Sequence, residues 1–536
     1  MTTRFQHEAS SAAPSCLVDL VDQSAAAHAD RTAVIDEQGH LSYRVLADSA
    51  GRLAGALADA GVQRGDRVGL WLPNSAFWLQ AHLALSRIGA IAVGINARYP
   101  AYETADVLRA ASVNTLVIDP AGKGLADSQS LAELLAAPGV KLARVVCRTG
   151  TLPVPQGVVC LDGARLLEWS GDIPSSTSAD SPSTVFTSSG STGTPKLILH
   201  SQAGIATHSR AVAIDHAYTA EGSTVLGQLP LCGVWGFNTA YAALAGGATL
   251  VLMERFEAAA AVDLIRRHGV TYANGPDLFV RQLFTAVDGA KHRLASMRAI
   301  GFSTFSNDSR ELVDLGDALG ITLFQVYGSS EQQALMVRRP AGGSPEERAD
   351  AGGRPSTPGT CMRIRHADTG ELVQDGEPGL LETTGPNVML GYLAEDGIDT
   401  SAFTDDGWLR TGDVAQLTDA GMRYLSRAKD VLRLSGFLVD PQEIELRLEE
   451  LTDVLEAKVV AVSTPQGSRC VAFVRVADPD RFSENVVLET CRRSLASFKV
   501  PSRVFPVDDF PRIDGANGPR IQRLALRDMA VERLSA

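Results

Sequence analysis

The sequence predicts an α/β protein with a large N-terminal domain and a small α+β C-terminal domain. Three observations carry that expectation. Strand-like runs that are apolar almost throughout alternate with helix-period segments over the first hundred residues, the pattern of a parallel sheet covered on both faces. The last hundred residues read differently, as helix, strand, strand, helix and strand. The chain has 536 residues, 45% hydrophobic and 21% charged. That is a globular composition, and at roughly 150 residues per domain it suffices for three or four folding units, or for one large and one small.

In chain order, Ser42 can cap a helix whose apolar positions Leu46, Ala50, Leu53 and Leu57 recur at helical spacing, and Gly61 ends it. Residues 67–72 (RVGLWL) form a strand-like run closed by Pro73-Asn74. A helix through Trp78 and Leu83 to Gly89 follows, then the strand 91–95. Two stretches read as exposed loops: 172–183, rich in Ser, Pro and Asp, and 340–355, rich in Gly, Pro and charge. Neither reads as a domain linker, because the patterned sequence on both sides is alike. A helix at 441–451 then opens the different terminal unit, with strands at 456–463 and 470–476, a helix at 485–498 and a short strand at 502–507. The expected domains are 1–428 and 429–536.

Lys and Arg number 49 against 62 Asp and Glu, a net charge of −13. That argues against nucleic acid or an anionic membrane as partner, since both require a basic footprint. The seven cysteines (16, 147, 160, 232, 361, 470, 491) include no CxxC pair. They read as reduced thiols rather than as a disulfide framework or zinc site. The first residues lack the apolar core of a signal peptide and no 18 apolar residues run together, so a cytoplasmic protein is expected.

The strongest local signal is TVFTSSGSTGTPK at 184–196. A strand runs into Ser188, Ser189, Gly190, Ser191, Thr192 and Gly193, and Lys196 follows after Thr194-Pro195. Glycines let backbone N–H groups approach a polyphosphate, hydroxyls add donors, and the lysine adds charge. The Walker pattern fails, because Thr and Pro separate Gly193 from Lys196 and Leu197 follows it. An ordinary P-loop ATPase is therefore not expected.

This loop resembles the signature of the adenylate-forming superfamily, the acyl- and aryl-CoA synthetases and their relatives. Four further segments occur in that family's order: VYGSSEQ (326–332), GWLRTGD (407–413), RAKDVLRLSGFLVDPQEIE (427–445) and FPRIDGANGPRIQRLALRD (510–528). The resemblance implies an αβαβα-like large domain with an accessory β-barrel and a mobile C-terminal lid. It implies ATP and Mg²⁺ as cofactors and CoA as co-substrate. Tyr327 and Gly328 would lie beside adenine, Ser330 by the α-phosphate, and Glu331 on the metal. Gln325 and Arg427 would contact the nucleotide, with Arg433 where relatives often carry Lys, and Asp413 would hold the ribose hydroxyls. Lys429 would be the hinge, and Gly436 would line the pantetheine tunnel. The C-terminal element normally offers a catalytic lysine, and Arg520 stands in its place.

For the acid, the resemblance points to Gly233, Trp235, Phe237 and Phe302, with Phe305 nearby. Gly233 replaces a bulkier gating residue. Val234 falls where amino-acid-activating relatives place an Asp, so a buried ammonium would find no partner. An aryl or medium acyl carboxylate is the expected substrate, activated as an adenylate and passed to CoA. The alternatives are a carrier-protein thiol or an amine as acceptor, nitrite as the acid, and a non-catalytic nucleotide-binding relative. The sequence leaves the oligomeric state open.

Overall fold

The computed structural model describes residues 16–121, 128–171, 177–188, 195–287, 294–303, 309–366, 369–427, 432–434, 437–439, 441–464, 467–513, 520–521 and 523–535. Among the described residues, two large sheets sandwich a layer of helices. The first has nine strands, with Pro182–Ser188, Ile91–Gly94, Arg67–Trp71, Thr115–Ile118, Arg144–Cys147 and Val159–Asp162 successively parallel. Antiparallel strands Lys196–Ser201 and Gly391–Ala394 extend its other edge. The second has thirteen strands. Its parallel half includes Tyr272–Pro276, Ala299–Ser303 and Thr322–Ser329, side by side.

Between the sheets, the helices Tyr43–Asp59, Ala76–Ile88 and Val234–Ala245 bury Leu46, Leu53, Trp78, Leu83 and Tyr241 in one core with strand residues of both sheets. The local chemistry follows the sequence. Ser42 Oγ accepts from the Val45 N–H at 3.3 Å, and Gly89 ends its helix at φ 78°, where only glycine is unstrained. A second core fills the outer face of the first sheet under the helix Ala101–Ala110. A third fills the outer face of the second sheet, around Ile265, Val280 and Leu312. The result is the α–β–α–β–α layering that the resemblance implied.

Past Thr322–Ser329 the second sheet turns antiparallel, through Gln333–Arg338, Gly352–Pro355, Gly421–Arg427, Leu409–Thr418, Gly379–Thr384 and Cys361–Arg365. These strands enclose their own core of Met336, Met362, Leu381 and Met422. Hydrogen bonds join them to the parallel strands, so the accessory layer continues the second sheet. The C-terminal domain is small and separately packed. Leu432, Ile444, Val459, Ala472 and Val504 share one of its cores, and Val471, Phe473, Phe510 and Leu526 another.

Two expectations need correction. Residues 340–355 are no open loop: they contain a helix, Pro345–Ala349, and the strand Gly352–Pro355. Ser344 Oγ caps the helix by accepting from Glu347 N–H, with Pro at the first helical position and two glutamates in the first turn, an ordered set of start signals. Gly353 is required in the strand, because a Cβ there would lie 1.9 Å from the Arg338 carbonyl oxygen. In the stretch 172–183, the strand already begins at Pro182, and Ser181 and Ser183 are buried. Among the described residues, no helix is long and apolar enough to cross a membrane.

Candidate active site

The strand pair Pro182–Ser188 and Lys196–Ser201 flanks the Ser/Gly-rich sequence and sets Lys196 opposite Ser188. Lys196 is exposed, and its Nζ lies 5.3 Å from the centre of the Tyr392 ring. Tyr392 stands on the neighbouring strand, paired with Ile198. Its O–H donates to Glu331 Oε1 at 3.2 Å. The lysine of one motif and the glutamate of another are thus joined through a tyrosine that local sequence chemistry did not single out. The cation–ring contact contributes about 0.5–1 kcal/mol at an exposed site.

Glu331 sits in the tight turn Ser330–Gln332 between two strands. His200 Nε2–H donates to the Ser330 carbonyl at 2.7 Å. Met389 N–H donates to the Glu331 carbonyl at 2.8 Å. Asn387 Nδ2 donates to the Gln332 carbonyl at 2.7 Å, and Asn387 Oδ1 accepts from the Thr360 hydroxyl at 2.6 Å. Gln332 Nε2 reaches Thr383 Oγ1 at 3.0 Å. Burial pushes the His200 imidazole down to about 4, so it stays neutral and its proton is fixed on Nε2 by the carbonyl. Gln333 and Leu335 follow at φ 59° and 63°, positive values that cost about 1–3 kcal/mol at a non-glycine residue. Gly328 is forced by the same hairpin, since a Cβ would lie 2.7 Å from the Gln333 carbonyl oxygen.

The strand that carries this turn also presents Tyr327, whose O–H donates to Asp413 Oδ2 at 2.5 Å. Asp413 is 1% exposed and pairs across its hairpin with the backbone of Arg427. Its N–H donates to Thr411 Oγ1 at 3.0 Å. Tyr424 lies alongside Tyr327, ring centres 5.6 Å apart. Lys196, Glu331, Tyr327 and Asp413 are therefore brought together by two chains of contacts meeting at one strand end.

The other expected residues are placed as follows. Gln325 is buried beside Phe302 in the ladder, and its amide donates to the Ala349 carbonyl at 3.4 Å. Gly233 caps the helix Val234–Ala245, and a Cβ there would meet only the Pro230 carbonyl, at 3.5 Å. Trp235 is half-buried, with its indole N–H sealed and no acceptor among the described residues. Phe237 is fully buried against Tyr241, His82 and Phe186, with centres 4.4, 5.0 and 5.1 Å away. Phe302 is fully buried in the outer core of the second sheet. Arg433 and Arg520 lie on short strands paired with Leu438 and Ile513. Ser189, Gly190, Ser191, Thr192, Gly193, Phe305, Lys429 and Gly436 lie outside the described residues, as do the side chains of Ser188, Arg427, Arg433 and Arg520.

Among the described residues no three His, Cys, Asp or Glu side chains cluster as a metal cage. A hard cation at Glu331 would take its remaining oxygen ligands from nucleotide phosphates, as magnesium commonly does.

Comparison with known proteins places the chain in a family. The AMP-binding enzyme profile matches residues 21–393, and its C-terminal domain profile matches 443–515. The chain is 28% identical over 498 residues to sulfoacetate–CoA ligase of Cupriavidus necator, covering 92% of this chain and 94% of that one. The amide bond synthetase McbA of Marinactinospora thermotolerans is 25% identical at a TM-score of 0.79, over 96% and 99% of the chains. ATP-bound MatB of Rhodopseudomonas palustris is also 25% identical, at 0.66 over 96% and 98%. With both profiles in place on a fold of matching layers, the chain belongs to the AMP-binding enzyme family, the adenylate-forming superfamily, and is an ATP-dependent, AMP-forming ligase.

Proposed function

We propose that this protein activates an aryl or medium acyl carboxylic acid with ATP and passes the acyl group to the thiol of CoA. The observation that carries the reading is the meeting of Lys196, Glu331 and Asp413, from three separated motifs, around Tyr327 and the turn that follows it. The similarity to a CoA ligase along nearly the whole chain supports the acceptor.

In the first half-reaction a carboxylate oxygen bonds to the α-phosphorus of ATP, and the bond to pyrophosphate breaks. Negative charge builds on the phosphoryl oxygens, so the protein contributes mainly position and opposite charge. Lys196 meets the phosphates in this reading, and Asp413 accepts from both ribose hydroxyls, its carboxylate oriented by Tyr327. Magnesium held at Glu331 would neutralise the phosphate oxygens. Arg520 takes the role of the usual lysine toward the acid and α-phosphate. It keeps the charge but spreads it over a planar fork.

In the second half-reaction the thiol loses its proton, its sulfur bonds to the acyl carbon, and AMP leaves. The lid, residues 429–536 turning at Lys429, exchanges its faces between the steps.

A panel of acids in the pyrophosphate–ATP exchange assay, followed by AMP release with and without CoA, tests the reading. Exchange with some acid and CoA-dependent AMP release are expected. A second reading, an amine acceptor, is favoured by the likeness to McbA. AMP release that ignores CoA and requires an amine would establish it in place of the first.

A further inference from the structure

Away from the nucleotide motifs the two domains meet through buried charge. Glu103 lies on the helix Ala101–Ala110 of the large domain. Lys499 follows the helix Glu484–Ser494 of the small one, 396 positions along the chain. Lys499 Nζ lies 3.3 Å from Glu103 Oε2 and 2.5 Å from Glu443 Oε1, with the three side chains 5%, 8% and 17% exposed. The Ala496 N–H donates to Glu103 Oε1. The Tyr99 ring lies 4.8 Å from the same ammonium.

This arrangement is complete only while the domains are together. Glu103 and Tyr99 come from one side; Lys499, Glu443 and Ala496 come from the other. Separation returns Glu103 and the Ala496 N–H to water. Removing one member while the domains stay docked leaves a buried charge short of a partner, a strongly unfavourable state. Such a cluster selects one orientation of the lid over others.

Its position indicates which step it serves. The helix of Glu103 follows the strand Ile91–Gly94, and Gly94 packs so tightly on the next loop that a Cβ would lie 2.9 Å from the Cys232 carbonyl oxygen. Gly233, on the proposed acid route, is the next residue. The small domain also approaches the large one where a Cβ on Gly467 would lie 2.7 Å from Leu278, in the first turn of the helix Asp277–Val287. The lid is thus seated on the helix of Glu103 and on that of Leu278.

We propose that Glu103 and Lys499 form an interdomain clamp that holds the lid in the transfer orientation, as positioning residues for the second half-reaction. This rests on the thioester-forming reading above. Neither residue needs to touch substrate.

The test uses the full chain with Glu103→Ala, Lys499→Met and the double variant. Pyrophosphate–ATP exchange measures the first half-reaction, and single-turnover transfer from preformed adenylate to CoA the second. Hydrogen exchange over residues 99–110 and 495–500 reports the docked interface directly. Each single variant is expected to keep pyrophosphate exchange within about twofold and to slow transfer by about tenfold or more. The double variant should be no slower than Lys499→Met, because the coupling is already lost. Protection of both peptides should fall while the melting temperature holds. Equal loss of both half-reactions, slower pyrophosphate exchange with intact transfer, or unchanged protection would each overturn the clamp. If the wild type shows no CoA dependence, the thioester reading fails, and the hydrogen-exchange result alone decides whether the clamp exists.

Discussion

Replacing Asp413 by alanine removes a carboxylate that is 1% exposed and already takes one donor, the Tyr327 hydroxyl at 2.5 Å. A hydrogen bond to a charged group contributes about 1.5–3 kcal/mol, so two ribose hydroxyls stand to lose about 3–6 kcal/mol. Water entering the vacated space recovers part of this. A net loss of about 2–3 kcal/mol, or roughly 30–150-fold in ATP affinity, is expected. Asp413→Asn keeps one acceptor and should cost about tenfold. Calorimetric titration with ATP, 2′-deoxyATP and 3′-deoxyATP makes the argument a cycle. The wild type should bind each deoxynucleotide about tenfold more weakly than ATP, and the alanine variant should bind all three alike. The variant leaves the Tyr327 hydroxyl without that acceptor, so its melting curve is compared first. A folded alanine variant that still distinguishes ATP from its deoxy forms would refute the ribose assignment.

Tyr392→Phe removes the donor to Glu331 but keeps the ring beside Lys196, whereas Tyr392→Leu removes both. Pyrophosphate exchange should fall by less than about fivefold in the first and clearly further in the second; identical rates would show that the tyrosine does not link the two motifs. Asn387→Leu strips the Gln332 carbonyl and the Thr360 hydroxyl of their partner. A loss of about 2–5 kcal/mol of stability is expected, read from denaturant melts; a shift below about 0.5 kcal/mol would exclude the pinned turn. Burial lowers His82 to about 3 and His200, His208 and His216 to about 4, against 6.5 when free. Their contribution is complete above 6.5 and falls away as pH drops from 6.5 towards 4, because only the unfolded chain takes up the protons. Glu103, raised to about 7 by burial, acts oppositely, gaining as pH falls from 7 towards 4.5. Together these five groups should make unfolding at pH 5 take up about three protons. The melting temperature should fall between pH 7 and 5, and a constant value would contradict neutral buried imidazoles.

Much of the fold was legible because its signals are local. Ser42, Gly89 and the apolar strand 67–72 each sit where capping, positive φ and burial require them. A large and a small domain were legible from the change of pattern in the last hundred residues. The helix Pro345–Ala349 was obscured by its surroundings, since glycines and charges on both sides hid a short capped turn. The site was legible only where a motif carries its own chemistry. Tyr392, His200 and Asn387 hold Glu331 in place through contacts that exist only after folding, and no spacing near them announces it. Phe237 and Phe302 show the same limit from the other side. An aromatic residue on an apolar segment reads alike in a pocket or a core, and both are fully buried. The interdomain cluster joins Glu103 to Lys499, a pairing that neither flanking sequence encodes alone.

Proteins leave the ribosome from the N-terminus onwards, and the order of parts here has a consequence during synthesis. Lys196 awaits Tyr392, and Tyr327 awaits Asp413, 86 positions later. A nascent or prematurely terminated chain ending before Asp413 would hold most of the parallel strands yet lack the carboxylate proposed to hold the ribose. On that assignment, an unfinished molecule would bind ATP weakly while the rest of the polypeptide is still being made.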